Sequence, residues 1–361
     1  MRKHLLLLWI VAVFGGCQPS GDTKYVSLEE VKYIKDFPYD EELKEIPVNV
    51  DEIGLFGVRV VGDSLLILGH GNNWSIHSID GKKSYGRCLS TGQGPDEFLY
   101  LPYIRTAAFE NLKDSLWAYI PDGYKNRIMA FNITEFINNG NQIIIPQNSK
   151  FLKGDKWGIV ACNGSSYHML EPLDDFSGLK RMYVDGDTLI EIPGTQSLSA
   201  ATVEGKEAEL NLLATSVRYM PDINRFVEVM VGLNQINVYS LDGISATTIC
   251  VGDKLDDLAK LESSYRYIRP DTYKSSCVNS LGFGAIYSGH TRNPLESQNT
   301  EIQFFNWALE PVYRFKQSFE ASALDLDITH KRLWIVDKDE DVLRCYDATP
   351  IIKAYEKNTR S

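Results

Sequence analysis

Three histidines lie in polar stretches rich in glycine, asparagine and serine: His70 in His70-Gly71-Asn72-Asn73-Trp74, His168 closing Asn163-Gly164-Ser165-Ser166-Tyr167-His168, and His290 ahead of Thr291-Arg292-Asn293. Three imidazoles brought together can hold zinc or another divalent ion, which would activate water or polarise a substrate. No short His-x-His or His-x-x-x-His spacing pre-forms such a site, so His70, His168 and His290 would depend on the fold to converge. Other stretches carry less chemistry. Asp337-Lys338-Asp339-Glu340-Asp341 lacks the glycine and distal glutamate of an EF-hand calcium loop. Gly92-Gln93-Gly94 is not followed by the Gly-Lys-Ser/Thr of a phosphate loop. There is no Gly-x-Ser-x-Gly elbow and no His-Glu-x-x-His zinc helix. Binding is better provided for. Trp74, Tyr124 and Tyr167 offer rings for stacking on a sugar or a peptide, beside the amide of Asn73. Lys125 and Arg127 can meet an anionic group, with a structural role for Arg127 as the alternative, and Arg292 is a further ligand-binding candidate. No cofactor is expected beyond the conditional metal.

These residues need strands to hold them. Gly92 to Asn132 reads as one unit of a meander. Gly92, Gly94 and Pro95 make a turn. Tyr103 to Phe109 can form an inner strand, with Arg105 near its start and facing a channel. Leu116–Ile120 supplies a second strand, and Arg127–Phe131 alternates as a third with one buried face. So small a meander cannot bury its face alone and needs neighbours. Copies are found. Third strands ending in an acid or amide recur at Asp80, Asn132, Asp185, Asp242, Asn306 and Asp347, spaced 41 to 64 residues apart. Six units imply an all-β chain, a six-bladed β-propeller of four-stranded antiparallel blades over residues 50–354. A pair of sandwiches would not explain a repeat of blade length. In a propeller the loops joining strands two and three share one face with the loops joining blades, and that face rims the channel. The polar stretches above are assigned to it.

The Gly92–Asn132 unit resembles an NHL-type propeller repeat, through Gly92-Gln93-Gly94-Pro95-Asp96-Glu97-Phe98, Asp114-Ser115-Leu116-Trp117-Ala118 and Asn126-Arg127-Ile128-Met129-Ala130-Phe131. Its Gly-x-Gly-Pro-x-Glu-Phe form is similar to that of TolB-like lipoproteins from Bacteroidetes-type bacteria. The resemblance implies a binding propeller or a part of an envelope complex. It also gives a precedent for a channel metal, in NHL-type lyases.

Residues 1–17 read as a lipoprotein signal peptide. Arg2-Lys3-His4 is a charged start, and Leu5–Phe14 is apolar but too short to span a bilayer. Phe14-Gly15-Gly16-Cys17 resembles a lipobox, with an aromatic where an aliphatic residue is usual; Cys17 would carry the lipid. By resemblance to bacterial lipoproteins, Gln18 favours the outer membrane, and periplasmic or surface facing stays open. Residues 18–49 form a tether in which Tyr25-Val26-Ser27-Leu28 can close the ring, and 355–361 a tail. The net charge of −11, with no basic cluster, argues against nucleic acid. Five cysteines besides Cys17, widely spaced and odd in number, are not a disulfide framework. Asn132–Ile137 reads as a helical turn, Asp253–Ile268 as a helix over an edge, and Ala200–Leu213 as an insertion. The partner expected at the channel face is an envelope protein, peptide or glycan; the alternative is a metal-assisted lyase or hydrolase.

Overall fold

Runs of β-branched and aromatic residues, cut by Gly, Asn and Asp turns, form strands too short to bury a face singly. They do so by stacking sheet against sheet. The computed structural model of the chain describes residues 24–154, 156–174, 178–199, 210–291 and 299–358. Cys17, Arg292 and the insertion's residues 200–209 lie outside them.

After β1 (Glu30–Ile34) and β2 (Glu45–Ile46) come the blades. The first is β3 (Leu55–Val61), β4 (Leu65–His70), β5 (Trp74–Ser78) and β6 (Ser84–Cys88). The second is β7 (Ala108–Leu112), β8 (Ser115–Asp122), β9 (Arg127–Asn132) and β10 (Ile144–Asn148). The third is β11 (Trp157–Ala161), β12 (Ser166–Pro172), β13 (Leu179–Asp185) and β14 (Thr188–Glu191). The fourth is β15 (Thr215–Met220), β16 (Arg225–Met230), β17 (Gln235–Ser240) and β18 (Ala246–Val251). The fifth is β19 (Pro270–Val278), β20 (Gly282–Thr291), β21 (Glu301–Asn306) and β22 (Pro311–Lys316). The sixth is β23 (Ala321–Asp327), β24 (Arg332–Asp337) and β25 (Val342–Asp347), completed by β2. The molecule is a six-bladed β-propeller of small antiparallel sheets.

The ring is closed by β2, antiparallel to β25, and not by Tyr25–Leu28. That stretch forms no strand. Val26 and Leu28 are instead buried in the core between blades three and four. The amide of Leu28 donates to Thr248 Oγ1 at 2.8 Å, and Gln235 Nε2 donates to the Val26 carbonyl at 2.6 Å. β1 then adds parallel to β18, Asp40 pairs with Arg314 on β22 at 2.5 Å, and β2 reaches blade six. The N-terminal segment is thus a strap over the outer edges of blades four, five and six. It covers strand edges that would otherwise be open to pairing with another chain.

Three helices finish the fold among the described residues. α1 (Ile133–Asn139) starts at Asn132, whose side chain accepts from the Glu135 amide, and stops at Gly140 in the left-handed region. α2 (Leu258–Ser263) is capped by Asp257 and is shorter than the Asp253–Ile268 periodicity predicts. α3 (Thr349–Asn358) follows the last strand and runs past residue 354 into the expected tail. It buries Ile351 and Tyr355 between blades five and six, with Tyr355 Oη donating towards the carbonyls of Phe283 and Phe305. All five cysteines of the described residues are buried and free.

The inner strands β3, β15, β19 and β23 touch in ring order around the channel. Blade two is different. A 3-10 turn, Ile104–Thr106, stands where an inner strand over Tyr103–Phe109 is predicted, and it touches β3, β11 and β15. Ile104 is the reason. Its side chain is buried in a notch left by two glycines of blade one: a Cβ on Gly57 would sit 2.4 Å from Ile104 Cγ2, and one on Gly69 would sit 3.1 Å away.

Candidate functional site

The Gly92–Phe98 loop shapes the upper face, the end that carries the loops between second and third strands. It is pinned at its base by backbone bonds from Gly92 N to Phe98 O and from Phe98 N to Ser90 O, both 2.8 Å. Its carbonyls then satisfy two cations of blade two. Lys125 Nζ donates to Gly92 O, Gly94 O and Glu97 O at 3.1, 2.9 and 2.7 Å. Arg127 Nη1 donates to Pro95 O at 2.6 Å, its Nη2 to Glu97 O at 2.7 Å, and its Nε to the buried Asp122 carboxylate at 3.2 Å. The glycine-rich motif and the Asn-Arg motif, which look independent in sequence, are two halves of one clamp. Each guanidinium nitrogen of Arg127 thus makes a bond within the protein, and the buried side chain braces the loop, which is its alternative, structural role.

The clamp leaves a cleft between blades two and three, with a volume of about 670 Å³. The loop before β7 contributes Phe98, Tyr100, Tyr103 and Arg105; the β8–β9 turn contributes Tyr124; blade three contributes Lys156 and Trp157. Tyr100 and Tyr124 face each other with ring centroids 5.3 Å apart and are 54% and 70% exposed. Such a pair keeps much apolar surface in water that a ligand would cover. Opposite, β11 bulges between the Trp157–Leu170 and Val160–His168 pairs, and Trp157, just before the bulge, is 38% exposed. Arg105 lies over the Tyr103 ring at 5.0 Å, a cation–π contact. Its side chain is open to channel water yet enclosed by protein walls, and that enclosure lowers its pKa. Lys156 pairs with Glu171. Rings on two walls and a cation at the inner end suit a ligand with a flat or apolar body.

The three histidines do not form one site. His70, on β4, is buried, with Nε2 against Ser75 Oγ at 2.9 Å and Nδ1 against Ile53 O at 3.0 Å. His290 has Nε2 at 2.7 Å from Asn299 O. His168 lies inside β12, where blade three packs on blade four. Asn163–Ser165 is the turn between β11 and β12, the first two strands of its blade, so it opens on the lower face. The error is a strand count: Trp157–Cys162 reads as a second strand but is the first. Among the described residues no group of three or more His, Cys, Asp or Glu has metal-holding geometry.

His168 belongs to a fully buried polar network. Arg181 reaches Glu228 through Nη2 at 2.6 Å and Nε at 3.2 Å. Tyr239 Oη donates to Glu228 Oε2 at 2.9 Å and lies 3.1 Å from His168 Nε2. With the single Tyr239 proton given to Glu228, His168 donates through Nε2. Burial pushes His168 down to about 4, so it is neutral at pH 7.

Two more of the expected ligand residues are core. Trp74 is fully buried beside Phe109, and its indole nitrogen donates to Pro102 O at 2.5 Å; it supports the loop from below. Tyr167 is buried with its hydroxyl against Ser149 Oγ. Asn73 donates to Asn72 Oδ1, and its carbonyl accepts from the His70 amide at 2.8 Å; it is a turn residue of blade one. Of the expected set, the structure brings Arg105 and Tyr124 together in the cleft. Sequence reasoning missed Tyr100, Tyr103, Lys156 and Trp157. Exposed aromatics in a loop flanking the Gly-x-Gly-Pro motif were the available signal for the first two.

No described protein family matches the chain, and no curated protein does. Among solved structures the chain is similar to a protein described as exported from Bacteroides fragilis, with 11% identity and a TM-score of 0.51 over 87% of this chain and 99% of that one. It is similar also to a member of the DUF4221 family from Bacteroides vulgatus, with 12% identity and a TM-score of 0.54 over 85% of this chain and 96% of that one. Both likenesses are of fold. A streptogramin B lyase aligns at 13% identity with a TM-score of 0.38, over 84% of this chain and 96% of that one, too distant to bear on activity.

Proposed function

We propose that the chain is a cell-envelope lipoprotein whose upper face binds a protein, peptide or glycan partner in the cleft between blades two and three, without chemistry on it. The observation that carries this is the cleft itself, walled by the exposed Tyr100–Tyr124 pair and Trp157. Ring faces in water are recognition surfaces for sugar rings and for peptide side chains. Export is supported by the apolar leader of residues 1–17 and by the exported neighbour of like fold. Lipidation at Cys17 and outer-membrane residence belong to the same proposal. They rest on the Gly15-Gly16-Cys17 lipobox and on Gln18. No helix among the described residues is long and apolar enough to cross a membrane.

Screening the purified protein on glycan and peptide arrays, beside Tyr124→Ala and Trp157→Ala, tests the reading. A ligand bound by the parent and lost in both variants is expected. Binding that survives both substitutions would move the site elsewhere.

A further inference from the structure

A second cavity, of about 240 Å³, lies in the channel on the far side of the Ile104–Thr106 turn from the aromatic cleft. Its wall includes Val61 and Gly62 at the end of β3, Cys162 after β11 and Pro221 after β15, which places it in the lower half of the channel. The charged residues that line it are Arg59, Arg105 and Arg218. Each comes from a different element: β3, the 3-10 turn and β15. Three guanidinium groups around one small space repel one another unless something negative lies among them.

The protein supplies only part of that charge. Asp325, on β23, lies 3.9 Å from Arg59 Nε, and one of its oxygens already accepts from the Val60 amide at 2.7 Å. Arg59 Nη1 is buried with no hydrogen-bond partner. Arg218 is 96% buried; its Nε donates to Ser276 O at 2.8 Å and its Nη1 to the Arg105 carbonyl, both neutral acceptors. Burial first, and the neighbouring Arg59 second, pull Arg218 down to about 9. Three arginines line this cavity and no carboxylate does, which leaves room in it for an acceptor.

We propose that the lower channel is an oxyanion site, in which Arg59, Arg105 and Arg218 hold a phosphate, sulfate or carboxylate group. The volume suffices for one such group and several waters, at about 30 Å³ for each water. The site shares only Arg105 and none of its other arginines with the aromatic cleft, so Arg59→Lys on one side and Tyr124→Ala on the other tell their failures apart.

The test is isothermal titration of the purified protein with inorganic phosphate, sulfate and glucuronate at constant ionic strength, with thermal melts alongside. Saturable binding of one equivalent is expected, with a melting temperature above that in matched chloride. Phosphate or sulfate binding without glucuronate marks a free inorganic anion; glucuronate binding marks a carboxylate on an organic ligand. Arg105→Gln should weaken binding at least tenfold, while the anion-free protein melts no lower than its parent because a repulsion is relieved. Arg59→Lys keeps the charge but loses the fork, and should weaken binding with the fold retained. No saturable response to any of the three anions, or full binding in both variants, would overturn the proposal.

Discussion

Blades two and three, and blades three and four, meet in opposite ways. The three–four boundary is packed by one buried apolar cluster. Phe226 and Tyr239 stack at 5.4 Å, and Arg181, Glu228, Tyr239 and His168 are linked by hydrogen bonds out of reach of water. At the two–three boundary the lower part is packed by Tyr119, Tyr167 and Met169, but the upper part is left open between Tyr124 and Trp157. The same architecture thus makes a closed joint and a cleft. What differs is where the charged side chains are directed. In the closed joint they cross from one blade to the next; beside the cleft Lys125 and Arg127 turn back onto their own entering loop and leave the gap unbridged.

The difference predicts unequal costs. Removing one partner of the buried pair, by Glu228→Gln or Arg181→Met, leaves an uncompensated charge and should destabilise by about 3–5 kcal/mol; denaturant unfolding reads this directly. A loss under about 1 kcal/mol would show that the joint is not tight. Next comes pH. The folded pKa of His168, about 4, lies below the ordinary 6.5. Its contribution is present above pH 6.5 and is lost as pH falls towards 4. Between pH 7 and 5 that is about 2 kcal/mol. His168→Gln should flatten this limb relative to the parent.

Gly57→Ala should cost about 1–3 kcal/mol by overpacking against Ile104. Because the same turn carries Arg105, the substitution should also alter ligand binding at a distance from the cleft. Smallest in stability are Tyr124→Ala and Trp157→Ala, each expected within about 0.5–1 kcal/mol of the parent because their rings are already wet. Their effect should appear in binding alone. A large loss of stability in either would make the cleft a packing surface and sink the contrast.

The fold was largely legible. Strand runs and turn residues are local signals, and their repetition needed no tertiary information to imply blades in a ring. Third strands at Asp80, Asn132, Asp185, Asp242, Asn306 and Asp347 all fall at the ends of real strands or just beyond them. The site was legible only in fragments. Trp74 and Tyr167 sit beside polar loops in sequence and are fully enclosed in space, because a large ring next to a turn is drawn into the wedge between blades. His168 was misplaced because one miscounted strand in blade three reverses the face on which the Asn163–Ser165 loop opens, whereas His70 and His290 are held by acceptors close by in their own blades.

What the amino-acid sequence determined by itself was period and polarity: six short antiparallel sheets, an apolar leader, and buried thiols without a disulfide pattern. Tertiary structure alone decided that Arg127 serves a loop, that Ile104 seats its turn in the notch at Gly57 and Gly69, and that three arginines from distant stretches face one cavity. Contacts of that kind join residues tens to over a hundred positions apart. No local pattern encodes them, because the free energy that selects them exists only once the ring has closed.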